Sequence, residues 1–117
     1  KKRNVAQLKK VIPMNLSLIQ TENSLLLVKN EASSIWKNLW VPFESRSLES
    51  YTNRFELTSS QKIQHELTHR RLNINLNTYI SANESKIKTN KKYKWIKKDK
   101  INEYGLPKPI SKVINEL

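Results

Sequence analysis

One nine-residue stretch constrains the fold more than any other part of the sequence. From Leu72 to Ile80, the even positions hold apolar side chains and one Thr, whereas the odd positions hold three Asn residues and one Tyr. Successive side chains of a β-strand point to opposite faces of the sheet, so this alternation predicts a strand with one buried and one polar face.

A change of phase lies just upstream of this strand. Ile63, His65, Leu67 and His69 also alternate with polar residues, but they fall on odd positions. Because a strand cannot change phase without an irregularity, a bend, bulge or tight loop is expected around residues 69–71. The sequence thus predicts two strands joined by a sharp corner.

Two further strands are predicted near the start of the chain. Met14, Leu16 and Leu18 alternate with polar residues, and a short apolar run covers residues 25–28. The turn-type residues 21–24 separate the two segments, which indicates a β-hairpin. In residues 31–44, Pro42 argues against a helix through the centre of a segment that holds two of the three Trp residues.

The remaining chain is interpreted as two helices, a loop and one strand. Leu48, Tyr51 and Phe55 are spaced as on a short amphipathic helix, and residues 58–60 break the pattern. Residues 81–92 are polar and predict a loop, and a return strand is expected around Tyr93. The last segment begins at Pro109 and has one apolar stripe, so it predicts a terminal helix; the stripe consists of Ile110, Val113, Ile114 and Leu117.

Composition and charge exclude several classes of site. The 117-residue chain has one Gly and no Cys, which excludes a Gly-rich phosphate loop, a disulfide and a cysteine-ligated metal or cluster within it. The net charge of +12 favours a polyanionic partner, although a basic composition alone would give the same value. No apolar run is long enough for a membrane span. The basic residues 1–10 and the absence of an initiator Met indicate a piece of a longer protein.

The segment His65–His69 contains the letters of a zinc-peptidase motif, H-E-x-x-H. That chemistry requires a helix, which brings two His side chains to within about 6 Å, whereas four strand residues span about 13 Å. The alternation predicts a strand here, and these are the only two His residues in a chain without Cys. A zinc site is therefore not expected.

Three blocks of the sequence occur in a characteristic order. The first is S-S-I-W-K-N-L-W-V-P-F-E, the second is H-E-L-T-H-R-R-L-N-I, and the third is E-Y-G-L-P-K-P-I-S-K-V-I-N-E-L. In this order they resemble the C-terminal domain of the A/G-specific adenine DNA glycosylases, the MutY family. The first block is similar to that domain's Gly-x-Trp/Leu-x-x-Leu-Trp-x-Phe-Pro segment, the second to its His-x-Phe-Ser-His segment, and the third to its closing stretch and helix. The chain departs from the family pattern in having Leu for Phe, Glu66 within the loop, and Ser, Lys and Asn in place of small Gly residues around the first Trp.

The resemblance implies a single α/β (α+β) domain with a Nudix-like mixed β-sheet flanked by two helices. Residues 1–12 would be a basic interdomain linker and residues 13–117 the Nudix-like C-terminal domain. Such a domain contacts 8-oxoguanine opposite adenine in double-stranded DNA, while a separate N-terminal catalytic domain with an iron–sulfur cluster removes the adenine. This piece itself would be non-catalytic, without metal or cofactor, monomeric, and located in the bacterial cytoplasm at the nucleoid.

The resemblance also implies the site residues. Leu67, Thr68 and His69 match the family's lesion-reading Phe-Ser-His, with Leu67 as a wedge between bases and the Thr68 hydroxyl as the partner of a base edge. Oxidation matters at that edge because it converts guanine N7 from an acceptor into a donor and adds an oxygen at C8. His69 and the adjacent Arg70 and Arg71 can hold phosphates, whereas His65 is a candidate either for DNA contact or for a structural hydrogen bond.

Two alternatives remain open from the sequence. A divergent Nudix nucleotide hydrolase would need clustered Glu residues for magnesium behind a Gly-led box, but Glu44, Glu49 and Glu56 are scattered and no Gly lies between Phe43 and His65. A generic basic nucleic-acid-binding module would bind without preference for the lesion.

Overall fold

A mixed sheet of seven strands forms the body of the protein in the computed structural model, which describes residues 10–117. In chain order the strands are β1 (Lys10–Gln20), β2 (Ser24–Lys29), β3 (Trp40–Val41), β4 (Phe43–Glu44), β5 (Glu56–Glu66), β6 (Arg70–Ile80) and β7 (Tyr93–Lys97). One α-helix, α1 (Lys108–Asn115), and 3-10 turns at Ser45–Leu48, Thr52–Arg54 and Lys98–Glu103 complete the described elements. This large mixed sheet with few helices is the predicted α+β class in a single domain. No helix in this described part is long and apolar enough to cross a bilayer.

Strand β6 lies between β1 and β5 and organises the sheet. It runs parallel to β1 over their whole length, from Lys10 opposite Arg70 to Gln20 opposite Ile80, and antiparallel to β5. The predicted alternation is confirmed from Leu72 to Thr78, because Leu72, Ile74, Leu76 and Thr78 are buried whereas Asn75 is exposed. Ile80, the last residue of the predicted stretch, is 39% exposed at the end of the strand. The sheet order is β3-β2-β1-β6-β5, with β4 added to β1 and β7 to β2.

The predicted β1–β2 hairpin and the predicted return strand β7 are both present. Strands β1 and β2 pair antiparallel, with Ile19 opposite Leu26, around the turn at residues 21–23. Strand β7 returns antiparallel along β2, as expected for the segment after the 81–92 loop. Strand β1 begins at Lys10, before the predicted linker boundary at residue 12. The rest of the predicted basic arm, residues 1–9, lies outside the described residues.

Strand β5 extends further than the sequence pattern indicates. Residues 58–60 were expected to interrupt regular structure, but they lie within β5, and the ladder with β6 has an irregularity between Leu57 and Ser59. An edge strand needs only one hydrogen-bonded neighbour and can expose both faces at its end, so polar residues do not prevent its pairing. The expected break in regular structure is therefore a β-bulge within β5 rather than the end of the strand.

Side chains on the two faces of the sheet form two apolar clusters. The larger one contains the even-numbered core residues of β6, together with Ile110, Val113 and Ile114 of α1. The smaller cluster lies on the other face, around Phe43 and Leu48. The predicted terminal helix is thus confirmed with three of its four apolar positions buried; Leu117 is 50% exposed because the helix ends at Asn115.

The segment between β4 and β5 is less regular than the predicted helix. Two 3-10 turns replace it, although Leu48 is fully buried and Tyr51 and Phe55 pack on the smaller cluster as expected for core residues. Ser, Thr and Asn bond nearby backbone and thereby compete with a helix, as the Thr52 hydroxyl does by donating to the Glu49 carbonyl at 3.3 Å.

Replacing Thr78 by Val is expected to raise the free energy of unfolding by about 0.5–1 kcal/mol, because a buried hydroxyl without a partner costs free energy that a methyl group does not. Thr78 is 1% exposed, and its Oγ1 has no hydrogen-bond partner. The same change at Thr58, whose Oγ1 donates to the Thr78 carbonyl at 3.0 Å, is the matched control. Urea unfolding should show stabilisation for Thr78→Val and none for Thr58→Val; a loss of stability in Thr78→Val would contradict this account.

Candidate nucleic-acid interface

The corner predicted from the phase change is the tip of the β5–β6 hairpin. The Leu67 N–H donates to the Arg70 carbonyl at 2.8 Å and closes a tight turn with Thr68 and His69 at its end. The Lys10 N–H donates to the His69 carbonyl at 3.3 Å, which ties the turn to the start of β1. The backbone of the tip is therefore fixed from both sides, while the side chains of Thr68, His69 and Arg70 are exposed.

The six predicted site residues divide into two groups at this tip. Thr68, His69 and Arg70 form its exposed end. Leu67 is half-buried and packs against the larger apolar cluster, so in this structure its side chain contacts the protein core.

His65 is also half-buried and lies opposite Leu72, on the core-facing side of β5. Arg71 is half-buried on the other face, where it pairs with Glu66.

The pair between Glu66 and Arg71 explains the acidic residue in the loop. The two residues are opposite each other on β5 and β6, and the Arg71 Nε donates to a Glu66 carboxylate oxygen at 2.6 Å. Both side chains are more than one-third exposed, so the pair contributes modestly to stability. Its electrostatic effect is nevertheless clear: the carboxylate is balanced by a neighbouring cation, and the exposed charge of the tip comes from Arg70.

The H-E-x-x-H letters do not lie on a helix. His65 and Glu66 end strand β5, whereas His69 belongs to the turn, as the alternation predicted. Among residues 10–117, no three His, Asp or Glu side chains come together in an arrangement that could hold a metal ion. The scattered Glu44, Glu49 and Glu56 are exposed.

A cleft opens beside the first half of β1. Strand β4 pairs with β1 only at Leu16 and Ser17, so the preceding residues of β1 have β6 on one side and the cleft on the other. The cleft has a volume of about 930 Å³ and is lined on its far side by the loop between β2 and β3. In that loop Trp36 and Asn38 have φ values of 62° and 68°, the region that Gly adopts most readily. The loop thus has a left-handed backbone at two residues that are not Gly.

The packing of the last segment also follows the sequence. Trp40 is buried, and its ring meets that of Tyr104 edge-on with centroids 5.6 Å apart. The Trp40 N–H donates to the Gly105 carbonyl at 2.8 Å, and Leu106 packs on the larger cluster. Tyr104 and Leu106 therefore anchor the segment before α1 to the sheet.

Sequence reasoning missed the role of three aromatic side chains around the 81–92 loop. Tyr51, Tyr93 and Trp95 each use their polar atom to bond the loop backbone. The only sequence signal was Ile87, the single Ile among polar residues, which is 4% exposed and joins the smaller cluster. This lysine-rich loop is therefore fixed to the sheet rather than only solvated.

Comparison with solved structures gives matches of the same fold at low sequence identity. An Ap4A hydrolase from C. elegans superposes with a TM-score of 0.66 and 8% identity, covering 90% of this chain and 93% of that one. The C-terminal domain of mouse MUTYH, from a complex with human PCNA, gives a TM-score of 0.64 and 13% identity, covering 89% and 86%. A MutT protein from Methanosarcina mazei gives 0.58 and 19%, covering 92% of each chain. No curated protein matches the sequence.

The match to a family model decides the family. The model described as the NUDIX domain matches residues 15–116, which is most of the chain and extends from β1 to the end of α1. Together with the mixed sheet and its structural matches, this shows that the chain belongs to the Nudix domain family.

Proposed function

We propose that this domain recognises 8-oxoguanine opposite adenine in double-stranded DNA, as the lesion-reading part of an adenine DNA glycosylase. The observation that supports this most directly is the exposed Thr68 hydroxyl at the end of a hairpin turn whose backbone is held by two hydrogen bonds. A fixed hydroxyl next to a cation suits a base edge flanked by phosphates.

The chemistry of the lesion fits this hydroxyl. Guanine presents an acceptor at N7, whereas 8-oxoguanine presents a donor there and an additional oxygen at C8. A Thr hydroxyl can accept from the N7 hydrogen of the lesion or donate to the C8 oxygen, and only the oxidised base offers both groups. His69 and Arg70 are exposed on the same end of the hairpin. In this proposal they contact phosphates and hold the base in register.

The chain would supply selectivity and would not break a bond. In this proposal a separate catalytic domain with an iron–sulfur cluster removes the adenine, while the tip holds the opposite base and the duplex during base flipping. The similarity to the C-terminal domain of mouse MUTYH supports the assignment of the fold to such a role. The human PCNA of that complex points to DNA-repair proteins as the class of partner. In this proposal the protein acts on DNA as a monomer in the bacterial cytoplasm.

The test is the binding of the 117-residue chain to two duplexes that differ in one base. Fluorescence anisotropy at low salt would compare 8-oxoguanine opposite adenine with guanine opposite adenine in the same sequence. We expect the lesion duplex to bind about 5–10-fold more tightly, which corresponds to roughly one additional net hydrogen bond. Equal affinities would contradict the proposal and favour a basic module without lesion preference.

A nucleotide hydrolase is the second candidate, because the Nudix family match and the hydrolases among the similar structures favour it. The segment from Ser45 to Phe55, which connects β4 to β5, has one acidic residue, Glu49, and no Gly. Such a segment is poor in ligands for magnesium. Incubation with oxidised nucleoside triphosphates and magnesium should release no pyrophosphate, and sustained magnesium-dependent release that is abolished by a chelator would establish the hydrolase instead.

A further inference from the structure

The loop between β6 and β7 concentrates positive charge in a fixed backbone. Within seven residues it has four exposed lysines, Lys86, Lys88, Lys91 and Lys92. Among the described residues, the only ion pair of these lysines joins Lys91 to Glu44, at 3.9 Å. The positive charge of these four lysines therefore faces solvent and is only weakly neutralised by neighbouring carboxylates.

Three hydrogen bonds from aromatic side chains hold this loop in place. The Ile87 N–H donates to the Tyr93 hydroxyl at 3.0 Å, and the Lys88 N–H donates to the Tyr51 hydroxyl at 2.9 Å. The Trp95 Nε1 donates to the Ser85 carbonyl at 2.7 Å. Since Ile87 is also buried in the smaller cluster, the backbone of the loop is anchored on both sides of its side chain. Because folding already orders the backbone that carries these lysines, binding to them costs little further conformational entropy.

The loop begins near the end of β6 and runs back towards its middle, whereas the hairpin tip lies at the start of the strand. Ile87 packs in the cluster that contains Ile19 and Tyr79, while Lys91 reaches Glu44, which pairs with Leu16 opposite Leu76. At about 3.3 Å per residue, the loop is separated from the tip by about 20–30 Å along the strand direction.

The surface between the two sites is polar. On this face β6 presents Asn73 and Asn75, which pair across the ladder with Gln64 and Lys62 of β5. Asn75 also donates to the Asn15 side chain of β1 at 3.0 Å. The amides and the one lysine on this part of the face can hydrogen-bond a sugar–phosphate backbone. The ion-paired Glu66 is the acidic side chain nearest to the tip on this face of β5.

We propose that the loop Lys86–Lys92 is a second phosphate-binding surface, which contacts the duplex about six to nine base pairs from the lesion held at the tip. The separation follows from about 20–30 Å at 3.4 Å per base pair. The inference rests on the proposed function for the position of the lesion, but it concerns affinity rather than discrimination. The partner is double-stranded DNA, because regularly spaced phosphates along a rigid rod match two fixed sites that one sheet holds at a set distance.

The experiment removes the charges and varies the length of the duplex. In the 117-residue chain, Lys86, Lys88 and Lys92 are replaced by Gln, and binding is measured to duplexes with arms of about 4 or about 14 base pairs on each side of the lesion. With the long duplex we expect about 10–100-fold weaker binding and a salt slope reduced by about 3, as for three lost phosphate contacts. With the short duplex we expect the variant and the unmodified chain to bind alike.

Two control variants separate position from total charge. Lys37, Lys100 and Lys112 are exposed lysines outside the loop, and their joint replacement by Gln lowers the net charge equally. This variant should retain most of the affinity for the long duplex. Tyr51→Phe retains every lysine but removes the hydroxyl that holds Lys88, and we expect about 2–5-fold weaker binding to the long duplex. Tyr79→Phe, which changes a Tyr packed on the Phe55 ring, is its matched control.

The outcomes distinguish this inference from the proposed function. Equal losses in the loop variant with short and long duplexes, equal losses in the two triple variants, or no loss at all would each overturn the second surface. A loss confined to binding of anionic vesicles, with duplex binding unchanged, would assign the loop to a membrane surface and equally overturn it. Equal affinity for lesion and guanine duplexes would contradict the lesion-reading function alone, while a length-dependent loss in the loop variant would still support the second surface.

Discussion

Replacing Leu76 by Ala is expected to lower the free energy of unfolding by about 2–5 kcal/mol, which is a large part of the stability of a domain this small. Leu76 is completely buried at the centre of β6, where it lies opposite Leu16 of β1 and Gln61 of β5. Truncation leaves a cavity. Because β6 is hydrogen-bonded to a strand on each side, the backbone cannot move inwards to fill it. Urea unfolding followed by tryptophan fluorescence would measure the change.

The same substitution at Leu57 provides the control. Leu57 is 52% exposed on the edge strand β5, next to the bulge, so its truncation should change the free energy of unfolding by less than about 0.5 kcal/mol. Similar losses at the two positions would mean that β5 packs against something on its exposed face. No loss at Leu76 would contradict the central position of β6.

Replacing Thr68 by Val is expected to reduce the preference for 8-oxoguanine over guanine by about 5–10-fold, since the substitution removes one hydroxyl at nearly constant volume. Thr68 is exposed, and the hydrogen bonds that close its turn involve the backbones of Leu67, Arg70, Lys10 and His69. The fold should therefore be unaffected. The measurement is the ratio of dissociation constants for the two duplexes, each opposite adenine.

Thr58→Val serves as the control, because Thr58 is a hydroxyl residue of the same hairpin at the far end of β5 from the tip. It should leave the ratio of dissociation constants unchanged. An unaltered ratio in a folded Thr68→Val variant would remove Thr68 from the proposed site. A loss of affinity for both duplexes by the same factor would assign Thr68 to phosphate contact instead.

The elements with strong local patterns were predictable from the sequence. The alternation from Leu72 to Ile80 determined which face of β6 is buried, and the phase change located the tip within two residues. Local patterns of this kind do not specify pairing between distant segments. The parallel ladder that joins β1 to β6 links residues 60 positions apart, such as Asn15 and Asn75, and no period in the sequence encodes it.

Local sequence patterns also gave wrong secondary structure where contacts between distant segments determine it. The polar residues 58–60 form part of β5 because β6 offers them a ladder, and the segment after Ser45 becomes two 3-10 turns because only Leu48 inserts deeply into the core. The candidate site shows the same limit. The sequence located the tip, but it did not reveal that Leu67 packs on the core or that Glu66 is paired with Arg71.

The outer strand β5 bears on whether two copies of this protein can associate edge to edge. Among the described residues, β5 pairs only with β6, and an unpaired edge of 11 residues can continue the sheet into a neighbouring molecule. In a symmetric antiparallel pairing centred on Gln61, Glu56 of one molecule would face Glu66 of the other at both ends of the ladder. Like charges placed opposite each other are unfavourable, and the bulge after Leu57 would break the ladder between them. Continuation of the sheet across the outer edge of β5 is therefore disfavoured at both ends of the strand.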